Sequence, residues 1–168
     1  MSPSTGILLN NHMFGFSTPV STDPPPAPAN FIRPYKRPLS SMAPIIILKG
    51  GQLKAVIGGG GGMFIPAAIS EVILNHFARE MDPISSVMAP RYYPLLHTNV
   101  VYYENYSWMG VKYRAPLETM KFLRSRNHNM VGDKGPLSSC LFVVQDGDDD
   151  TKLVAVVDAR KGGFPAGF

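Results

Sequence analysis

AVIGGGGGMFIPAAISEVILNHF, residues 55–77, decides the reading of the fold. Five consecutive glycines, Gly58 to Gly62, lie between an apolar β-type run and a helical pattern. Beyond them Ile65, Ile69, Val72, Ile73 and His76 share one helical face. Pro66 suits a first helical turn, where its missing N–H has no partner to lose. The spacing predicts a helix that ends near Glu80, before the sequence MDP. Three uses of so much bare backbone compete: a flexible linker, a phosphate cradle and an oxyanion hole. A linker carries polar flanks, which this run lacks. A nucleotide P-loop needs lysine and Ser/Thr after its last glycine, and here Met63 and Phe64 follow. A dinucleotide fingerprint needs a parallel sheet, against which the local hairpin pattern argues. Two readings stay open: backbone N–H groups aimed at an anion or a developing oxyanion, and close packing with no chemistry.

Outward from this junction the pattern is of hairpins and a few helices. Residues 45–48 and 53–57 read as two antiparallel strands joined by KGGQ. PISSVM, residues 83–88, is a short amphipathic piece, 99–104 a strand, and 115–126 a helix. CLFVVQ and LVAVVD flank the polar tip DGDDDTK as a second hairpin. The tip resembles the start of a calcium loop but lacks the glutamate at position 12, and reads as a solvated turn. Residues 17–29, STPVSTDPPPAPA, form a proline-rich surface segment. An α+β domain with antiparallel sheets over residues 1–168 is the expectation.

Composition excludes several functions. The 168 residues favour one domain, and 45% hydrophobic content is enough for a packed core. The net charge of +4 comes from scattered lysines and arginines rather than a basic stripe, which argues against nucleic-acid binding. Cys140 is the only cysteine, so no internal disulfide or thiolate cluster forms, and in CLFVV it reads as a buried, inert thiol. His12, His76, His97 and His128 lack metal-ligand spacing, so no metal or cofactor is expected. No apolar stretch reaches the roughly 18 residues of a membrane span. The N-terminal residues lack a signal-peptide pattern. The sequon at Asn105 to Ser107 is a candidate glycosylation site. Ser40 and Ser41 are loop hydroxyls that serve as turn residues or hold a carboxylate.

Five stretches taken together, SPSTGILLNN (2–11), PPAPANFIRPYKRPLSSM (25–42), GGMF (61–64), MDPISSVMAPR (81–91) and DARKGGFPAGF (158–168), resemble the γ-glutamyltransferases, also called γ-glutamyl transpeptidases or glutathione hydrolases, most of all their plant members. The resemblance implies part of an N-terminal-nucleophile hydrolase αββα sandwich. It implies an enzyme that cuts itself into two subunits. The new N-terminal threonine of the small subunit then attacks the γ-glutamyl amide of glutathione, with its own amine as base, and the acyl group passes to water or an amino acid. By this resemblance Gly61 and Gly62 form the oxyanion hole, where one donor is worth about 3–4 kcal/mol. Ser40 and Ser41 hold the α-carboxylate. Gly58 to Gly60 exceed the family pattern and are expected to loosen the loop.

The departures are specific. The family reads asparagine–asparagine–glutamate–methionine–aspartate–aspartate–phenylalanine where this chain reads NNHMFGF. His12 replaces the glutamate, and Phe14 and Gly15 replace the aspartates that hold the substrate ammonium group. Each lost charge-assisted hydrogen bond is worth roughly 1.5–3 kcal/mol. The nucleophilic threonine is expected upstream of Ser2, outside this sequence; Thr5 and Thr18 lack its context. The large subunit and its carboxylate-gripping arginine are outside it too. The chain as it stands is therefore expected to be catalytically inactive. The alternatives are a working piece of a longer transferase and a non-enzymatic chain that associates with a sister large subunit. An unrelated anion-binding module is the least supported reading. The resemblance implies a secreted or vacuolar setting, for which the chain itself carries no signal.

Overall fold

The computed structural model describes residues 2–20, 25–145 and 152–167. The acidic tip of the last hairpin and the middle of the proline-rich segment lie outside these residues. The chain divides into two units, Met1–Ser40 and Ser41–Phe168.

The first unit is built from turns. A 3₁₀ turn spans His12–Gly15 and a second spans Pro28–Asn30. Buried Asn30 ties the unit together. Its Nδ2 donates to the Gly15 carbonyl at 2.8 Å and to Ser17 Oγ at 3.1 Å, and its Oδ1 accepts from the Leu39 N–H at 2.9 Å. One amide thus replaces the regular ladder that the prolines prevent.

The second unit opens with the expected hairpin, β1 (Ile45–Lys49) and β2 (Gln52–Gly60). Gly50 and Gly51 take φ of 59° and 84°, the two left-handed positions of a tight hairpin turn. The first sheet has the order β1-β2-β7-β8, all antiparallel, with β7 at Ser139–Gln145 and β8 at Leu153–Val157. Strand β2 does not stop where the glycines start: Gly58, Gly59 and Gly60 pair with Leu141, Cys140 and Ser139. The expectation of a loosened loop is thereby corrected. These three glycines lie in a hydrogen-bonded strand, and only Gly61 and Gly62 form the turn. Gly59 has a steric reason to lack a side chain, because a Cβ there would lie 2.8 Å from the Ser139 carbonyl, under Ile65 and Ile69.

Helix α1 (Ile65–Ile73) follows, then widens into a π-helical turn at Leu74–Ala78. Glu80, at φ 55°, ends the run where the sequence predicts. Helix α2 (Pro83–Met88) is capped by Asp82, whose carboxylate accepts from the Ser85 N–H at 2.9 Å. The second sheet holds β3 (Tyr92–Leu95), β4 (Val100–Trp108) and β5 (Val111–Arg114) in antiparallel order. Helix α3 (Leu117–Ser125) leads into β6 (Asn129–Asp133), which pairs parallel with β4 along Val100–Glu104. Met109 and Gly110, both at positive φ, close the β4–β5 hairpin.

The core lies on one face of the first sheet. Ala55, Ile57, Phe142, Val144 and Val156 meet Ile65, Ala68, Ile69 and Val72 of α1, Val87 of α2 and Tyr93 of β3. Each fully buried aliphatic side chain there contributes roughly 1.5–3 kcal/mol. The opposite face is also apolar. Ile46, Val56, Val143 and Ala155 stand in one row across all four strands, and Ile46 is 68% exposed.

Candidate functional site

Strand β2 delivers the chain to Gly61, and the helix begins one residue later. Gly61 has φ 132° and Gly62 φ 59°, so the two residues reverse the strand into a 3₁₀ turn (Gly62–Phe64) that continues as α1. A Cβ on Gly61 would collide with the Leu137 carbonyl and lie 2.6 Å from Ser138 Cα. Gly62 has open space around it. The first N–H groups of a helix have no acceptor inside it, so they remain available to an anion. A cleft of about 190 Å³ borders the turn, lined by Gly60, Gly61, Leu137, Ser138 and Lys161 among others. The arrangement can offer backbone donors to a developing negative charge.

Behind the turn sits a buried charge cluster. Arg91 Nη2 donates to Asp158 at 2.7 Å and to the Val87 carbonyl at 2.8 Å. The Arg160 guanidinium makes two hydrogen bonds to Glu104, at 2.7 and 2.6 Å, and one to Asp158 at 3.0 Å, and the Arg160 N–H donates to the same Asp158 carboxylate at 3.0 Å. Arg91, Glu104, Asp158 and Arg160 are at most 2% exposed. The cluster is electrically balanced, two cations against two carboxylates, which is how four buried charges are tolerated. Burial pushes the Asp158 carboxyl up, but the Arg91 and Arg160 guanidiniums outweigh it and hold the group below its ordinary value. The Arg160 guanidinium also lies 4.0 Å from the Tyr113 ring centre.

A second cleft, of about 390 Å³, lies at the far end of α1 beside Glu71, Asn75, Arg79 and Tyr92. Burial pushes the Glu71 carboxyl up to about 7, against the pull of the Tyr92 N–H and Arg91. Cys140 is buried, and burial raises its thiol, in keeping with an inert role. Among the described residues no group of three or more His, Cys, Asp or Glu could hold a metal ion. No helix of the described residues is long and apolar enough to cross a membrane.

The other residues singled out by sequence lie as follows. Ser40 closes the first unit and Ser41 opens the second, both exposed in non-helical chain ahead of β1. His12, Phe14 and Gly15 share the 3₁₀ turn of the first unit, with Phe14 88% exposed. A Cβ on Gly15 would lie 2.9 Å from the Leu39 carbonyl. Asn105 is exposed on β4, and Ser107, two residues on, is exposed as well. Sequence reasoning missed the ionic cluster, taking Arg160 as one of several scattered cations. The usable signal was charge at the edge of apolar strand runs: Glu104 after VVYY and Asp158 after LVAVV.

Residues 1–168 match the Gamma-glutamyltranspeptidase family. Glutathione hydrolase 2 of Arabidopsis thaliana is 49% identical over 177 residues, covering 100% of this chain and 31% of that protein. Glutathione hydrolase 4 of the same plant, named as a suspected inactive member, is 59% identical over 110 residues, covering 62% of this chain and 58% of that protein. The crystal structure of a mutant Helicobacter pylori gamma-glutamyltranspeptidase aligns with a TM-score of 0.77 at 27% identity, over 94% of this chain and 83% of that one. This chain therefore spans less than two thirds of the length of the curated relatives it matches. Its two sheets and flanking helices are part of the N-terminal-nucleophile hydrolase sandwich. From its sequence, its fold and these likenesses, the chain belongs to the gamma-glutamyltranspeptidase family.

Proposed function

We propose that this chain carries the acyl-binding part of a glutathione hydrolase site whose oxyanion turn is intact and whose ammonium-binding positions are lost. The observation that carries the reading is Gly61. Its φ of 132° and its contact with Leu137 and Ser138 hold a side-chain-free turn at the head of a helix. In this reading the Gly61 and Gly62 N–H groups receive the oxyanion formed when a γ-glutamyl amide is attacked. Ser40 and Ser41 take the α-carboxylate. His12, Phe14 and Gly15 stand where carboxylates would hold the α-ammonium group, and none of them carries a negative charge. No residue of this sequence is assigned as the nucleophile. Glutathione and other γ-glutamyl compounds are the proposed substrate class, with the γ-glutamyl group passing to water or an amino acid, and the activity is proposed to be severely reduced or absent. One domain over residues 1–168 remains the proposed organisation.

A second reading rests on a different observation. Among the described residues no second layer covers the sheet face that carries the row Ile46, Val56, Val143 and Ala155, in which Val143 is half-buried and the other three are exposed. Sheets of this kind bury such a face against another sheet about 10 Å away. The chain then acts as a non-enzymatic partner of a sister large subunit that supplies this layer. Exposed Asn105 is the proposed glycan acceptor if the protein enters the secretory route, and an endoglycosidase-sensitive mass lost in Asn105→Gln checks it.

The test is release of the anilide product from a γ-glutamyl anilide by the intact protein that contains this chain. Turnover is expected near background. The double variant His12→Glu with Phe14→Asp is expected to raise it by at least tenfold, and Gly61→Val in that background to abolish it. Gly15 is left unchanged because of its contact with Leu39. Wild-type turnover equal to the double variant overturns the lost-site reading. Turnover in the double variant that survives Gly61→Val overturns the oxyanion assignment.

A further inference from the structure

We infer that Ser138, clamped by Tyr93 and Arg91, is the positioning residue for the Gly61–Gly62 turn. The inference rests on reading that turn as the oxyanion site, and goes beyond it by assigning what holds it in place. A run of glycines has the widest conformational freedom of any backbone. Oxyanion stabilisation needs the opposite, donors fixed before charge develops. The rigidity must therefore come from outside the run.

The structure supplies it at one point. The Leu137–Ser138 backbone lies directly against Gly61, with Ser138 Cα 2.6 Å and Cβ 2.8 Å from where a Gly61 Cβ would be. Ser138 is itself buried. Its Oγ lies 2.9 Å from Tyr93 OH and 3.3 Å from Arg91 Nη1, and Arg91 Nη1 also donates to the Ser138 carbonyl at 3.3 Å. Tyr93 reaches the turn a second time, its ring 5.1 Å from that of Phe64 in an edge-on contact. Phe64 is the last residue of the 3₁₀ turn. Arg91 is in turn anchored to Asp158, and Asp158 Oδ2 also accepts the Cys140 N–H at 2.9 Å. Cys140 is the strand partner of Gly59, so the same carboxylate also anchors, from the β8 side, the β7 residue that faces the glycine run. The buried ion pair thus holds the clamp, and the clamp holds the turn from both sides.

The test is residue-resolved amide hydrogen exchange on the full chain, comparing wild type with Tyr93→Phe and Ser138→Ala. Each removes one oxygen, and Tyr93→Phe keeps the ring against Phe64. Exchange at the Phe64 N–H, which donates to the Gly61 carbonyl at 3.3 Å and so reports opening of the turn, is expected to speed up by about tenfold or more, while Val72 in α1 and Val144 in β7 stay within about twofold. Unchanged Phe64 exchange in both variants overturns the inference. So does equal acceleration at all three amides, which is what general destabilisation produces. Turnover of the His12→Glu, Phe14→Asp protein separates the two claims. If the turn loosens and turnover is unaffected, the clamp stands and the oxyanion reading falls.

Discussion

At the residue scale, Gly61 and Gly62 are adjacent and identical, yet the structure treats them differently. Gly61 combines a φ that L-residues rarely adopt with a neighbour that leaves no room for a Cβ. Gly62 has the left-handed φ alone, with open space around it. Gly62→Ala is therefore expected to cost about 1 kcal/mol, the ordinary left-handed penalty. Gly61→Ala adds a clash with backbone, which cannot swing aside, and is expected to cost about 3 kcal/mol or more. Urea unfolding of both variants checks the order, and equal midpoints would contradict it. The sequence marks the run as unusual. It does not mark which glycine bears the constraint, because the constraint comes from Leu137 and Ser138, more than seventy positions away.

At the element scale, α1 is legible because its apolar period of 3.6 coincides with the face it buries, from Ile65 through Val72. Strand β6 is not. NMVGD is short and polar, and it is a strand because β4 offers it a parallel edge and because Gly132 lets Tyr103 lie close, its OH 3.1 Å from where a Cβ would sit. Helix α1 also carries a pH-dependent tie. Glu71 accepts the Tyr92 N–H at 3.0 Å, joining the helix to the start of β3. Its carboxyl is raised by burial from 4.5 to about 7. Between those values the folded chain holds a proton that the unfolded chain has released. Stability from this group is therefore fully present at low pH and falls as pH rises through the window, by about 3 kcal/mol in all. Glu71→Gln keeps an acceptor for Tyr92 and removes the titration. The variant is expected to match the wild type near pH 4 and to exceed it near pH 8 in urea unfolding. Parallel pH profiles would count against the assignment.

At the scale of the whole molecule, the ion cluster links segments that are distant in sequence. Arg91 follows α2, Glu104 lies in the middle of β4, and Asp158 and Arg160 follow β8. Removing one member leaves an uncompensated buried charge, for which about 3–5 kcal/mol is typical. Glu104→Ala is expected to destabilise by that amount, and Glu104→Gln by less, since an amide oxygen still accepts from Arg160. Thermal melts of the two variants measure the difference, and equal melting temperatures would argue that the lost charge alone matters and that the acceptor oxygen kept in Glu104→Gln contributes nothing. Asp158 contributes to the acid side of the stability curve. Its carboxyl is held below 3.8, so its contribution is present above that value and is lost as pH falls through the window beneath it. The Asp158 and Glu71 slopes therefore oppose each other in separate pH windows.

The sequence by itself determined the local structure and the membership. Periodicity, turn residues and the placing of Pro66 set β1, β2, α1 and the last hairpin. Motifs such as PLSSM and RKGGFPAG carried the family. Both kinds of signal lie within a few residues of one another, where backbone geometry and side-chain preference act directly. Only the tertiary structure decided that Gly58 to Gly60 are strand, that Gly61 rather than Gly62 is the tightly packed glycine, and that four charged residues balance one another in the interior. Those outcomes depend on which distant atoms meet, and on how strongly unlike charges attract once water is excluded from between them.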